Sequence, residues 1–211
     1  TVVLSGFSCV GNPITQRIYI QPSAIVTFSA PDQTICSQQS TSAVILNSTT
    51  AGVSFNWTAT PPFGLSSAST SGSNTIPVQT LVNNTLTPLT INYLATATIG
   101  GCVGNVATYA VTVNPIPSVT LLSTHDSICS GANSLPVNWV SVPTGASFNW
   151  SISTINTISG ATNSGTGNLP AMTLLNNTLK NGTYYLDSVV YAVNASLNAC
   201  PSLAPAFYTI Y

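Results

Sequence analysis

One five-residue segment occurs twice, and its recurrence limits what the chain can fold into. Residues 54–58 read Ser-Phe-Asn-Trp-Thr, and residues 147–151 read Ser-Phe-Asn-Trp-Ser, 93 residues later. The tripeptide Ile-Cys-Ser at 35–37 returns at 128–130 with the same offset of 93. Because separate landmarks keep one spacing, the chain contains an internal repeat, and a unit of this length is one small domain. We therefore predict a tandem array of similar domains.

The 211 residues are enough for two domains of about 100 residues each. We predict that residues 22–114 form the first complete module and residues 115–211 the second. Residues 1–21 are expected to be the C-terminal hairpin of a preceding, truncated module, because the sequence around Cys9 resembles that around Cys102, again at an offset of 93. The linker at 113–117, Val-Asn-Pro-Ile-Pro, is stiffened by two prolines, so the modules should abut end to end.

Short apolar segments alternate with turn-forming residues throughout both modules. In residues 53–58 the alternation puts Phe55 and Trp57 on one face of a strand. Each module has about seven such segments and no amphipathic helix, which predicts an all-β fold of antiparallel β-sandwich modules. We interpret residues 31–41 as a polar loop that carries Cys36. The predicted core aromatic residues are Trp57, Trp150, Phe55, Phe148, Tyr93 and Tyr191.

Charge is very scarce: the chain has two basic residues, three acidic residues and one histidine. Such a chain cannot attract nucleic acid or an anionic membrane electrostatically. It has no apolar run near the roughly 20 residues of a membrane-spanning helix, so we expect no membrane insertion. The single His–acid pair, His125-Asp126, is assigned to a surface loop, and three scattered Asp cannot supply a calcium site in each module. We expect no enzymatic activity, metal or cofactor.

The landmarks and their order resemble the Ig-like and PKD-like repeats of very long cell-surface proteins in Bacteroidetes. The shared pattern is Ile-Cys-Ser, then Phe-Asn-Trp, a strand that contains Tyr93, Gly-Cys at Cys102, and a closing Val-Thr-Val-Asn-Pro at 111–115. The second copy keeps Tyr191 and Cys200 but has Ala199 in place of the glycine. The resemblance implies tandem Ig-like/PKD-like modules, export by the type IX route, and a stalk or filament role in an adhesin of the gliding type.

Cysteines that recur in an exported β-rich array indicate disulfides. As the default we expect bonds within modules, Cys36–Cys102 and Cys129–Cys200, which leaves Cys9 unpaired in this chain. The alternative joins the modules through Cys36–Cys200. It rests on geometry, since a first loop and a last hairpin lie at opposite ends of a sandwich, about 17–20 Å apart, beyond the roughly 4.4–6.8 Å between the Cα atoms of a disulfide. A third hypothesis is that all five cysteines are reduced.

Two kinds of modification site stand out. Asp126-Ser127-Ile128 and Asp187-Ser188-Val189 resemble the Asp-Ser/Thr-apolar sequence that Bacteroidetes O-glycosylate, which makes Ser127 and Ser188 candidates. Asn56 and Asn149 each begin an Asn-x-Ser/Thr sequence on the outward face of a Trp strand, and they are candidates if the source is eukaryotic.

These observations favour a structural segment, a stalk or filament of a long extracellular adhesin or surface protein. Its expected partners are neighbouring modules, together with identical chains laterally or end to end, since an almost uncharged surface does not keep sheet edges apart. The alternative is a glycan- or protein-binding module that acts through loops such as 61–74 or 153–168. We expect the chain at the cell surface or secreted.

Overall fold

The computed structural model describes the backbone of residues 5–6, 9–10, 13–18, 20, 23–177, 179–180 and 183–211. Side chains are described for residues 13–18, 20, 23–177, 183 and 185–211. The described residues form strands and no helix. None of these residues belongs to an apolar helix of membrane-spanning length.

Two strands precede the first module and eleven form it. Near the N-terminus, β1 (Ser5–Gly6) pairs antiparallel with β2 (Cys9–Val10). The strands that follow are β3 (Thr27–Phe28), β4 (Gln33–Cys36), β5 (Val44–Asn47), β6 (Ser54–Ala59), β7 (Leu65–Ser66), β8 (Ser71–Ser73), β9 (Thr75–Ile76), β10 (Val82–Asn83), β11 (Leu89–Ile99), β12 (Cys102–Val103) and β13 (Ala107–Asn114).

The first module is a sandwich of two main sheets. One sheet has the order β4-β13-β11-β6-β8, with β12 paired to the end of β11, and the other has the order β3-β5-β9. Most neighbours are antiparallel, but β4 runs parallel to β13, so that Cys36 lies opposite Asn114. Cys36 therefore lies at the end of the module where β13 runs into the linker.

The second module repeats this arrangement with twelve strands. They are β14 (Ser118–Thr120), β15 (His125–Asp126), β16 (Val140–Val142), β17 (Ser147–Ile155), β18 (Ile158–Ser159), β19 (Ser164–Thr166), β20 (Leu175–Asn176), β21 (Leu179–Lys180), β22 (Thr183–Tyr184), β23 (Val189–Leu197), β24 (Cys200–Pro201) and β25 (Ala206–Ile210). The sheet β15-β25-β23-β17-β19, with β24 paired to β23, corresponds strand for strand to the larger sheet of the first module. The fold is thus all-β, a tandem pair of Ig-like/PKD-like antiparallel β-sandwich modules.

Each module has its own core, and the two Trp residues of the repeat occupy like positions. Trp57 meets Tyr93 edge to face at 5.5 Å between ring centroids, and Trp150 meets Tyr191 in the same way at 5.6 Å. All four side chains are buried, whereas the predicted core residues Phe55 and Phe148 are half-buried and pack against the two cores. The paired rings fit a preference for edge-to-face contacts.

Two sequence assignments were wrong in detail. Residues 33–36 form edge strand β4 within the segment predicted as a polar loop. Their sequence, Gln-Thr-Ile-Cys, does not alternate between polar and apolar residues and so does not indicate a strand. His125-Asp126 likewise forms edge strand β15, parallel to β25, and not a loop. Both strands gain their order from pairing with a long neighbour, a contact that a local pattern does not reveal.

Candidate functional site: the junction between the modules

The end of the first module is joined covalently to the last hairpin of the second. Cys36, at the end of β4, forms a disulfide with Cys200, the first residue of β24, with 5.5 Å between the Cα atoms. The two residues are 164 positions apart in the sequence, and both are buried. The bond therefore fixes the second module against the first at a point far from the linker in sequence.

A tight turn presents Cys200 to the first module. Leu197 and Cys200 are partners across the β23–β24 hairpin, and the two residues between them, Asn198 and Ala199, have φ of +50° and +63°. Two successive positive φ values are typical of a two-residue hairpin turn. The Asn198 carbonyl accepts a hydrogen bond from Asn114 Nδ2 at 3.4 Å, a second link between the modules.

The linker is part of this contact and is not a free tether. Asn114, Pro115 and Pro117 are buried, and Ile116 is half-buried. Asn83 Nδ2 donates a hydrogen bond of 2.8 Å to the Val113 carbonyl, which holds the start of the linker against the first module. Proline also restricts φ, so little backbone freedom remains for bending between the modules.

The default disulfide pairs Cys36–Cys102 and Cys129–Cys200 do not occur, and the bond is the alternative one. The reason lies in β13, which has 8 residues. Cys36 is paired with its last residue, Asn114, while Cys102 precedes its first residue, Ala107. A strand of this length spans about 25 Å at roughly 3.3 Å per residue, far more than a disulfide bridges. Cys102 and Cys129 are exposed free thiols, and the Cys9 side chain lies outside the described residues.

A groove lies at the junction, but none of the residues that line it is an acid or a base. It is lined by Ser37, Gln38, Val82, Asn83, Asn84, Thr85, Ile116, Pro117, Ser118, Ser202, Leu203 and Ala204, none of which ionises in the usual pH range. General acid–base catalysis requires a positioned titratable group. This groove can therefore hold a polar or apolar contact, but it cannot transfer a proton.

His125 and Asp126 serve as strand residues that pair with β25, and their side chains are not placed to act together. Successive residues of a strand point to opposite faces, and the His125 ring meets the Tyr211 ring at 6.2 Å. The Asp126 Oδ1 atom accepts a hydrogen bond from the Ser127 backbone N–H at 2.8 Å. Among the described residues, no group of three His, Cys, Asp or Glu side chains is close enough together to hold a metal.

Burial raises the pKa of tyrosine side chains in both cores. Burial raises the pKa of Tyr191 to about 12, because the tyrosinate form would lose its water. Burial also raises the pKa of Tyr93, and the opposing hydrogen bond from its hydroxyl to Gln79 Oε1 is 3.2 Å long. Where the first module has Gln79, the second has Met172, whose sulfur accepts from the Tyr191 hydroxyl at 3.3 Å.

The candidate modification residues differ in accessibility. Ser127, Asn56 and Asn149 are exposed, while Ser188 is half-buried next to the buried Asp187. The Asp187 carboxylate accepts hydrogen bonds from the Thr157 backbone N–H at 3.0 Å, the Thr157 hydroxyl at 2.8 Å and the Ser188 backbone N–H at 2.8 Å. Asp187 is therefore a structural group within the fold, which sequence reasoning treated as part of a modification motif.

Sequence reasoning also missed two contributors to the junction and to the second core. The sequence places Asn114 in the linker, and nothing in a single sequence indicates that its amide reaches Asn198. Trp139, outside the repeated motif, is buried and meets Tyr208 edge to face at 5.8 Å. The equivalent residue of the first module, 93 positions earlier, is Leu46 in β5. The repeat therefore places Trp139 in a core strand.

Comparison with protein families finds one match in the chain. Residues 33–117 match the family model described as a PKD-like domain. This match supports a PKD-like module in the first half of the chain. A comparison with curated protein sequences found no match.

Three solved structures of low sequence identity align with most of this chain. Protocadherin Gamma B2 extracellular cadherin domains 3-6 align with a TM-score of 0.44 and 16% identity, covering 89% of this chain and 51% of that chain. Drosophila N-cadherin EC1-4 aligns with a TM-score of 0.40 and 14% identity, covering 86% and 47%. The complex of Dpr11 IG1 with DIP-gamma IG+IG2 aligns with a TM-score of 0.39 and 10% identity, covering 90% and 97%.

Proposed function

We propose that the chain is a structural repeat segment, part of the stalk or filament of a long extracellular adhesin or surface protein. The observation that carries the proposal is the junction, at which two equivalent sandwiches are joined end to end by Cys36–Cys200 and a buried proline linker. A protein that must hold a binding site away from a surface needs modules that resist both bending and extension. The disulfide also favours an oxidising, extracellular location.

The disulfide changes how the chain carries a pulling force. Force applied at the two ends passes from the segment before Cys36 directly to Cys200, so the 164-position loop between them is not extended. If this bond is broken, that loop becomes available to stretch. At about 3.3–3.6 Å per extended residue, the loop contributes roughly 550 Å of extensible chain. A spacer with the bond intact therefore keeps its length when its modules are pulled.

Force spectroscopy on the full chain, held at its two ends, tests this function. We expect the oxidised chain to lengthen only by the segments outside the disulfide, and the Cys36→Ser/Cys200→Ser chain to lengthen by roughly 550 Å more. The matched control is Cys102→Ser/Cys129→Ser, which removes two exposed free thiols and should behave as the unmodified chain. A fully extensible oxidised chain would contradict the spacer role.

A second candidate function is binding through the loops. Phe63, in the loop between β6 and β7, is 98% exposed, so the face of its aromatic ring is accessible to a ligand. A glycan array probed with the chain and with Phe63→Ala tests it. Binding that Phe63→Ala abolishes would favour this function, and equal signals from both proteins would count against it.

A further inference from the structure

Two free thiols occupy the positions that correspond to the two ends of the Cys36–Cys200 bond. Cys129 lies 93 residues after Cys36 in the same Ile-Cys-Ser landmark, and Cys102 holds the hairpin position of Cys200. We propose that they are the two halves of a second junction, at which Cys129 of one copy of the chain forms a disulfide with Cys102 of a second copy. This proposal rests on the proposed stalk function and states how its segments join.

The hairpin that carries Cys102 matches the hairpin that carries Cys200. Ile99 is paired with Cys102 as Leu197 is with Cys200, and the intervening Gly100 and Gly101 have positive φ, as Asn198 and Ala199 do. Both hairpins close with the same backbone hydrogen bond, Gly104 N–H to Ala97 O and Ser202 N–H to Ala195 O, each 2.8 Å long. The Cys102 hairpin is therefore already in the conformation that docks at the existing junction.

The loop that carries Cys129 matches the loop that carries Cys36. The Ser37 hydroxyl accepts from the Asn83 backbone N–H at 2.9 Å, and the Ser130 hydroxyl accepts from the Asn176 backbone N–H at 3.0 Å. The Cys36 carbonyl accepts from Gln39 at 3.0 Å, and the Cys129 carbonyl accepts from Ala132 at 2.9 Å. The acceptor surface is thus formed in the second module before any partner binds.

What differs between the two acceptor surfaces is their burial. Cys36 is only 9% exposed because the second module covers it, whereas Cys129 is exposed. Near Cys129 lie Leu186, which is 79% exposed, and Tyr211, and together they line a cavity that also contacts Ile128 and Leu174. The cavity is lined mainly by apolar side chains, together with Ser130, Asn176 and Asp187, and it has no basic group. The Cys102 hairpin carries no acidic residue that the Asp187 carboxylate would repel.

A second copy is the occupant that the structure favours, because its Cys102 hairpin has the same backbone pairing as the hairpin that docks at the existing junction. The existing junction shows that this hairpin type and this acceptor type dock on one another, and among the described side chains the chain has one free cysteine of each type. The contact is heterologous, since one end of a copy meets the other end of the next. Repeated contacts of that kind produce an open filament unless the rotation between successive copies closes a ring.

Disulfide formation requires an oxidant, for which glutathione disulfide is sufficient. The Cys129 thiolate attacks glutathione disulfide, which forms a mixed disulfide and releases one glutathione thiolate. The Cys102 thiolate of the second copy then attacks the Cys129 sulfur and displaces the second glutathione thiolate. Two protein thiols are oxidised, one glutathione disulfide is reduced to two glutathiones, and the two thiol protons end on glutathione.

The test uses two full-length proteins that each keep one of the two thiols, both with Cys9→Ser. One carries Cys102→Ser and keeps Cys129, and the other carries Cys129→Ser and keeps Cys102. They are incubated alone and as an equal mixture at high micromolar concentration in a glutathione redox buffer. Non-reducing electrophoresis measures dimers, and peptide mass spectrometry identifies the cysteines in each bond. Unchanged circular dichroism confirms that both proteins retain the fold.

We expect the mixture to form many more dimers than either protein alone, with Cys102–Cys129 as the dominant linked peptide. Random collision would instead give as many homodimers as heterodimers, and that result would overturn the proposal. Monomers with both thiols still reduced would overturn it as well. The unmodified chain should give covalent multimers with the same linked peptide. The spacer role is measured on single chains, so its failure is separate from failure here.

Discussion

Cys36 and Cys200 lie 164 positions apart in the sequence, yet their Cα atoms are 5.5 Å apart. The disulfide closes a loop that contains almost all of both modules, because one cysteine lies in the first edge strand of the first module and the other in the last hairpin of the second. It acts together with the Asn114–Asn198 hydrogen bond and the buried prolines of the linker. Three independent contacts therefore fix the orientation of one sandwich on the next.

Removal of this disulfide should destabilise the chain more than any other pair of cysteine substitutions. In the chain-entropy model a closed loop of this length contributes about 5 kcal/mol, since the unfolded chain loses the most freedom when a long loop is closed. We expect Cys36→Ser/Cys200→Ser to lower the free energy of unfolding by several kcal/mol, measured by guanidinium denaturation with Trp fluorescence. Cys102→Ser/Cys129→Ser is the control, and an equal loss in both proteins would contradict this account.

The two equivalent tryptophans differ in one hydrogen bond, which allows a matched comparison. Trp57 Nε1 donates to the Thr75 carbonyl at 3.0 Å, whereas Trp150 Nε1 is buried with no partner among the described residues. Trp→Phe at either site removes a similar apolar area. We expect Trp57→Phe to cost about 1–2 kcal/mol more than Trp150→Phe, because it also removes the hydrogen bond to the part-buried Thr75 carbonyl. Equal losses in thermal or chemical denaturation would contradict the prediction.

Two glycines lie directly against these indole rings. A Cβ added at Gly72 would stand 2.5 Å from Trp57 Cζ2, and one at Gly165 would approach Trp150 Cζ2 still more closely. We expect Gly72→Ala and Gly165→Ala each to lower the free energy of unfolding by about 1–3 kcal/mol, since a packed core does not yield without strain. Ser71→Ala on the same strand is the control, because Ser71 is exposed. A neutral effect of Gly72→Ala would show that the ring can move away.

The sequence predicted the repeated parts of this fold well, and for a physical reason. Alternating residues such as Phe55 and Trp57 report directly on which face of a strand is buried, and a second copy of the same pattern doubles the evidence. The edge strands β4 and β15 were not predicted, because their order comes from pairing with β13 and β25. A single sequence contains no record of such long-range partners.

The disulfide at the candidate site is a second case in which a single sequence does not reveal long-range partners. Sequence spacing treats Cys36 and Cys102 as the natural pair because they lie in one module, and only the length of β13 excludes the bond. The geometric argument for Cys36–Cys200 was available from the sandwich prediction, but it needed the order of the modules as well. The contact between Asn114 and Asn198 was beyond reach, since neither residue belongs to a recurring pattern at that spacing.

Stability should fall in strong alkali because of Tyr191. Its ordinary pKa is about 10 in an unfolded chain, and burial raises the pKa to about 12 in the folded protein. The unfolded state therefore releases the proton first, so this contribution is fully present below pH about 10 and is lost as pH rises towards about 12. Denaturation midpoints measured across this range should fall steeply. Tyr191→Phe should make the fall shallower, and an unchanged slope would contradict the assignment.

Asp187 has a structural role, although it belongs to one of the two candidate modification sequences. Its carboxylate is buried and receives hydrogen bonds from both the backbone and the hydroxyl of Thr157, whereas Asp126 lies on the edge strand beside exposed Ser127. We expect Asp187→Ala to lower the free energy of unfolding by about 2–3 kcal/mol, because buried donors lose their acceptor, and Asp126→Ala to cost clearly less. Chemical denaturation of both proteins measures the difference.

The same contrast predicts which serine accepts a sugar if the Asp-Ser sequences are glycosylated in native material. A transferase that recognises a serine hydroxyl together with the neighbouring carboxylate can reach both groups at Asp126-Ser127, whereas at Asp187-Ser188 the carboxylate is buried and the serine half-buried. Intact-mass and peptide measurements should therefore find the modification at Ser127 and not at Ser188. Occupancy of Ser188 alone would mean that the sugar is added before the second module folds, and a mass without any addition would remove the modification altogether.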